Sequence, residues 1–162
     1  MASTHKIIKL IFLFALAFIL PHHAIAQIGA YKIIYSNAST HCYVTAVSIN
    51  DSTIRYKISE KSDRKIWRLT DRSEVQSLGL LTLKKTIKVF TSALDLFNNN
   101  KLGATIKLKK NIVLTYRKEF GTKFVQIENE LIGATININR KTAEGALKAL
   151  KDQEEEGEEE YY

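Results

Sequence analysis

Apolar and polar residues alternate along most of this chain, and the alternation predicts strands. Ala30-Tyr31-Lys32-Ile33-Ile34-Tyr35-Ser36 is a β-branched and aromatic run, set apart by the turn-like Asn37–Thr40 from a second run, His41–Ile49. Asn50-Asp51-Ser52 is a short polar turn. After it, Ile54, Tyr56 and Ile58 fall on one face and Arg55, Lys57 and Ser59 on the other, so the runs on either side should form a hairpin. The stretch 60–79 has no clear period: Lys65–Thr70 fits a strand or a turn of helix, and Asp71–Gly79 reads as a loop. Residues 80–90 alternate again and predict a strand. Ser92 with Asp95 three residues on is a capping pattern for a short helix through Phe97, stopped by the three asparagines 98–100.

The second half repeats this logic. Strands are expected at 103–110, 111–120, 122–131 and 133–139. Ala143, Ala146, Leu147 and Leu150 then have amphipathic-helix spacing. Gly145 within that helix costs roughly 1 kcal/mol relative to Ala, so the apolar stripe must pack on a sheet to hold it. Gly-Ala-Thr-Ile occurs twice, at 103–106 and 133–136, with similar flanks. Its 30-residue period disagrees with the roughly 50-residue period of the larger layout. It therefore reads as one way of starting a strand, used twice, with Gly admitting a turn that other residues resist.

The whole predicts an α+β domain over 27–151. It has seven to eight antiparallel strands in two strands-then-helix halves, and two short helices packed on the sheet. Across residues 30–151 this layout resembles the repeated four-strand-plus-helix units of Whirly-type and PUR-type single-stranded nucleic-acid binders. The resemblance is one of element order and carries no residue role with it.

The first 26 residues change the picture of where the chain acts. Lys6 and Lys9 precede an unbroken apolar run, Leu10–Leu20, which Pro21 ends, and Ala24-Ile25-Ala26 follows. That is the pattern of a secretory signal peptide cleaved before Gln27. An eleven-residue helix would rise about 17 Å, against roughly 30 Å of bilayer hydrocarbon, so no stable transmembrane anchor is expected after cleavage. The expected location is secreted or periplasmic.

Charge is unevenly spread. Residues 27–162 hold 22 Lys and Arg against 17 acids, a net +5, but seven of those acids lie in 152–162, which has no base. The body 27–151 has 22 bases and 10 acids, a net +12. The acidic run is expected to be a disordered tail. Asn37 and Asn50 each begin a glycosylation sequon, which matters only in a eukaryotic source.

Catalytic chemistry is sparse. In 27–162, His41 is the one His and Cys42 the one Cys. As neighbours on a strand they point to opposite faces and make a poor dyad. Cys42 reads as a buried structural thiol and Trp67 as a core anchor. Glu128 and Glu130 share a strand face, where a solvated pair is the simpler reading than acid–base work. No cofactor loop and no metal-ligand spacing is present.

The leading expectation is an exported, non-enzymatic binding module with a protein or envelope partner. The alternative is a polyanion binder whose ligand is an acidic glycan, lipopolysaccharide, anionic lipid or extracellular nucleic acid. Its basic sheet face would hold Arg55, Lys57, Lys88, Phe90, Lys107 and Lys109, with the acidic tail competing for that face.

Overall fold

A computed structural model describes residues 30–50, 53–62, 74–108 and 111–159. The expected leader, Trp67, Lys109 and the last three residues lie outside the described residues. Within them, the alternating runs pair in the order in which they occur. β1 (Tyr31–Asn37), β2 (Cys42–Asn50), β3 (Thr53–Ser62) and β4 (Glu74–Leu81) form one antiparallel sheet in sequence order, followed by helix α1 (Leu83–Asn99). β5 (Thr105–Leu108), β6 (Ile112–Glu119), β7 (Thr122–Asn129) and β8 (Ala134–Ile138) form a second, followed by α2 (Arg140–Glu159). The α+β architecture of two strands-then-helix halves is thus the one expected, although the helices, at 17 and 20 residues, are not short.

Two element assignments differ from expectation. Residues 83–90 are helix, not strand: α1 starts at its cap Thr82, whose hydroxyl accepts from the Lys85 N–H, and Ser92 lies buried in its interior. The β-branched Thr86, Ile87 and Val89 suggest a strand locally. Over the longer window, however, Thr86, Val89, Phe90, Ala93, Leu96 and Phe97 follow a 3.6-residue period and are all buried. Tertiary burial of that stripe outweighs the local preference. Conversely, Glu74–Leu81, read from sequence mostly as a loop, is the fourth strand. Lys57 pairs with Leu80 and Ser59 with Ser77, so Leu78 and Gly79 both stand opposite Ile58 in a bulge, with Leu78 turned into the core.

The repeated Gly-Ala-Thr-Ile does start two strands. Gly103 and Gly133 have φ of 77° and 63°, just before β5 and β8, and nothing lies within 4 Å of where a Cβ would stand. Backbone conformation, not lack of space, calls for Gly there.

The inner faces of both sheets close on the helices in one core. Cys42, Val44, Tyr56, Ile58 and Leu78 come from the first sheet; Leu114, Tyr116, Val125, Ile127, Ile136 and Ile138 come from the second. The helices are exchanged between halves. α1, which follows the first sheet, lies mainly against β5, β6 and β7. α2, which follows the second, lies against β1, and the two helices pack on each other. Thr142 Oγ1, in the first turn of α2, accepts from Asn37 Nδ2 of β1 at 2.9 Å and is 2.9 Å from Thr40 Oγ1.

The sheets meet along β4 and β8 without a backbone ladder between them. Side chains bridge the gap: Glu60 Oε2 accepts from the Asn137 N–H (2.9 Å), Gln76 Oε1 from the Thr135 N–H (3.3 Å), and Asn129 Nδ2 donates to the Leu78 carbonyl (2.9 Å). The free edge of β8 is satisfied in this way.

α2 does not stop where the acidic run begins. Asp152–Glu159, expected as disordered tail, continues the helix, and the described acidic side chains there are exposed. Six acids near a helix C-terminus oppose the macrodipole and repel one another, so this arm is the least stable part of α2.

Gly145 explains how α2 approaches β1. A Cβ there would sit 2.5 Å from Tyr35 Cε2 and 2.8 Å from its hydroxyl oxygen, so the absent side chain is the space the Tyr35 ring occupies. Gly145→Ala is expected to lower stability by about 1–2 kcal/mol despite Ala's better helix propensity. In a Tyr35→Leu background the same change should become neutral or stabilising. Urea unfolding of the four chains in this cycle checks both signs.

Candidate binding surfaces

The six residues expected to share a basic face do not come together. Arg55 and Lys57 lie on the outer face of the first sheet, since their neighbours Tyr56 and Ile58 are buried on the inner one. Lys107 is on the outer face of the second sheet, ion-paired at 3.0 Å with Glu130. That pair is exposed and is worth at most about 1 kcal/mol. Lys88 is exposed on α1, and Phe90 is fully buried in the core. The two misplaced residues follow from reading 80–90 as strand. Lys109 lies outside the described residues.

What the first sheet does present is built row by row from its register. Tyr31, Val47 and Arg55 lie across one row; Ile33, Thr45, Lys57 and Leu80 across the next; Ser36, Tyr43, Ser59 and Ser77 across a third; and Lys61 beside Val75 at the end. Residues directly opposite on antiparallel strands share a face. Tyr31 is 74% exposed, and Ile33, Val75 and Leu80 are each more than half exposed. This outer face therefore interleaves three bases with uncovered aromatic and aliphatic side chains, and no acid occupies any of the paired positions named. Arg55 and Lys57 were readable from alternation. The apolar half was less so: Tyr31 and Ile33 lie in an expected strand, but Val75 lies in a stretch that reads as a loop and Leu80 at the start of a run that reads as a different strand.

A second feature escaped sequence reading. A cleft of about 420 Å³ is lined by Phe97, Asn100, Tyr116, Lys123 and Arg140, where the end of α1, the β6–β7 hairpin and the start of α2 converge. Phe97 and Tyr116 meet edge to face, centroids 5.5 Å apart at 78°, and the Arg140 guanidinium lies 5.9 Å from the Phe97 centroid. Asn100 caps α1 in the left-handed region (φ 49°). Its Oδ1 accepts from Tyr116 Oη and from Lys123 Nζ, both at 3.0 Å. Arg140 Nη2 donates to Asn98 Oδ1 at 2.7 Å. The only sequence hint was the asparagine run, which was read as a helix stop.

Catalytic groups are not assembled among the described residues. Cys42 is buried, and its thiol is pushed up to about 12, first by burial and then by the negative charge of Glu60. It sits far from the thiolate form a nucleophile needs. Glu128 lies in β7, whereas Glu130 lies in the turn after it and is paired with Lys107. Among the described residues no three His, Cys, Asp or Glu side chains are placed to hold a metal, and no helix is long and apolar enough to cross a membrane. Comparison with protein-family models, curated proteins and solved structures finds no match to the chain.

The Cys42 environment has a consequence for stability. From pH 9.0, the ordinary value, up to about 12 the unfolded chain releases the thiol proton while the folded chain keeps it. This contribution is therefore complete below pH 9 and is lost as pH rises, on the order of 1 kcal/mol per pH unit. Tyr56, whose phenol is also raised by burial, steepens the fall at higher pH. Unfolding midpoints at pH 8 and pH 10 should drop less in Cys42→Ala than in the parent.

Proposed function

We propose that the chain is an exported, non-enzymatic binding module that holds its ligand on the outer face of the first sheet. The ligand class that fits best is a polyanion carrying flat or apolar groups. The observation that carries the reading is the interleaving of Arg55, Lys57 and Lys61 with exposed Tyr31, Ile33 and Leu80 on a face whose paired positions hold no acid. Cations attract phosphate or sulfate groups and release counterions, and a side chain such as Tyr31 offers a plane for stacking. The strands-then-helix layout, which resembles that of single-stranded nucleic-acid binders, points the same way. The secretory pattern of residues 1–26 directs the search to polyanions outside the cytoplasm: nucleic acid, lipopolysaccharide, anionic lipid or acidic glycan.

The acidic run enters this reading as a competitor. As a helical continuation of α2 it is a stiff arm. Competition for the basic face would come from the arm of a second molecule, or after the arm unwinds.

A protein partner is the second reading, favoured by the exposed Ile33, Val75 and Leu80. Salt separates the two. Binding of the 27–162 chain to a single-stranded DNA oligomer, heparin and anionic vesicles should weaken by more than about tenfold between roughly 50 and 200 mM salt. The double variant Arg55→Glu, Lys57→Glu should bind more than about tenfold more weakly at low salt and show a shallower salt dependence. Tyr31→Ala should weaken the DNA complex by about fivefold or more and leave heparin nearly unchanged. Binding that ignores both salt and charge reversal would replace the polyanion with an apolar protein partner.

A further inference from the structure

We infer that the cleft between the end of α1 and the start of α2 binds a small organic anion: a carboxylate or phosphate group carried on a flat apolar body. Its size of about 420 Å³ lies within the usual 300–1,000 Å³ of small-molecule sites. Its chemistry divides into a floor and a rim. The floor is the Phe97–Tyr116 edge-to-face pair, held rigid by the core, with the edge of Phe97 the more open of the two rings to the cleft.

The rim carries Lys123 and Arg140. Among the described residues no acid lines the opening. The hydrogen-bond partners that hold the two cations are neutral amide oxygens, Asn100 Oδ1 for Lys123 and Asn98 Oδ1 for Arg140. Glu144, one turn on in α2, forms a long ion pair with Arg140 Nη1 at 3.8 Å, beyond the 2.7–2.9 Å of a charge-assisted hydrogen bond. Two positive charges thus line one opening, Lys123 held by an amide oxygen and Arg140 by an amide oxygen and a long ion pair with Glu144. An anion placed at the opening gains donors from both.

Asn100 supplies the remaining polar group. Tyr116 and Lys123 both donate to its Oδ1, which fixes the amide and leaves Nδ2 as a further donor. The Arg140 guanidinium above Phe97 marks where a flat group would meet both a cation and a ring. Separate elements and separate residues build this site, so it stands whether or not the first sheet binds a polyanion.

The test titrates the 27–162 chain with phenyl phosphate, benzoate, inorganic phosphate and benzyl alcohol, followed by NMR of the backbone amides of Asn100 and Lys123 and the rings of Phe97 and Tyr116. At least one aryl anion is expected to give saturable shifts at those groups, and the stronger of the two identifies the anionic group preferred. Benzyl alcohol and inorganic phosphate are expected to bind at least about fivefold more weakly. Lys123→Ala, an exposed position, should weaken the complex about five- to tenfold with the melting temperature unchanged, and Arg55→Glu, Lys57→Glu should leave it intact. No saturable shift at millimolar aryl anion would overturn the proposal. So would inorganic phosphate or benzyl alcohol binding as tightly as the aryl anions, or Lys123→Ala without effect.

Discussion

Burial of each helix against the sheet of the other half is the interaction on which the rest of this structure depends. α1 leaves β4 and lies mainly on β5–β7, touching its own sheet at β3; α2 leaves β8 and lies on β1. A four-stranded sheet with one bare apolar face needs a cover, and an isolated helix with a Gly in its second turn is marginal. Each half supplies what the other lacks. The contacts at both exchanges are specific: the Tyr35 ring fills the space at Gly145, Asn37 reaches Thr142, and Phe97 and Asn100 reach Tyr116.

The exchange also sets which surfaces are left open. With both helices on the inner faces, no described helix covers the outer faces of the sheets, and β4 is drawn against β8. The seam there needs Glu60 to accept from the Asn137 N–H, and the same carboxylate adds to the burial that keeps the Cys42 thiol protonated. The cleft follows from the same crossing, since it lies where the end of one helix and the start of the other meet around Tyr116. The candidate binding surfaces are thus by-products of how the halves are joined.

Much of the fold was legible where period and environment agree. Tyr56 and Ile58 are buried and Arg55 and Lys57 are on the opposite face, as alternation requires; Ala143, Ala146 and Leu150 are buried as the helical period requires. The eight strands agree with the expected number only because two errors offset each other. Residues 83–90 carry β-branched side chains on a helix whose period appears only over fifteen residues, and Glu74–Leu81 has a bulge at Gly79 that breaks its alternation. Those errors passed directly into the candidate site. Phe90 was placed on a surface and is in the core, whereas Leu80 and Val75 were missed. The cleft joins residues up to 43 positions apart, from Phe97 to Arg140, and no local pattern reports such a meeting.

The exchange of helices is tested most directly by separating the halves. Residues 30–100 and 101–159, prepared alone and then mixed, should each lack a cooperative unfolding transition, and on mixing should associate one to one and regain a single transition with Cys42 protected from thiol reagents. A half that alone unfolds cooperatively, with its helix packed on its own sheet, would contradict the account.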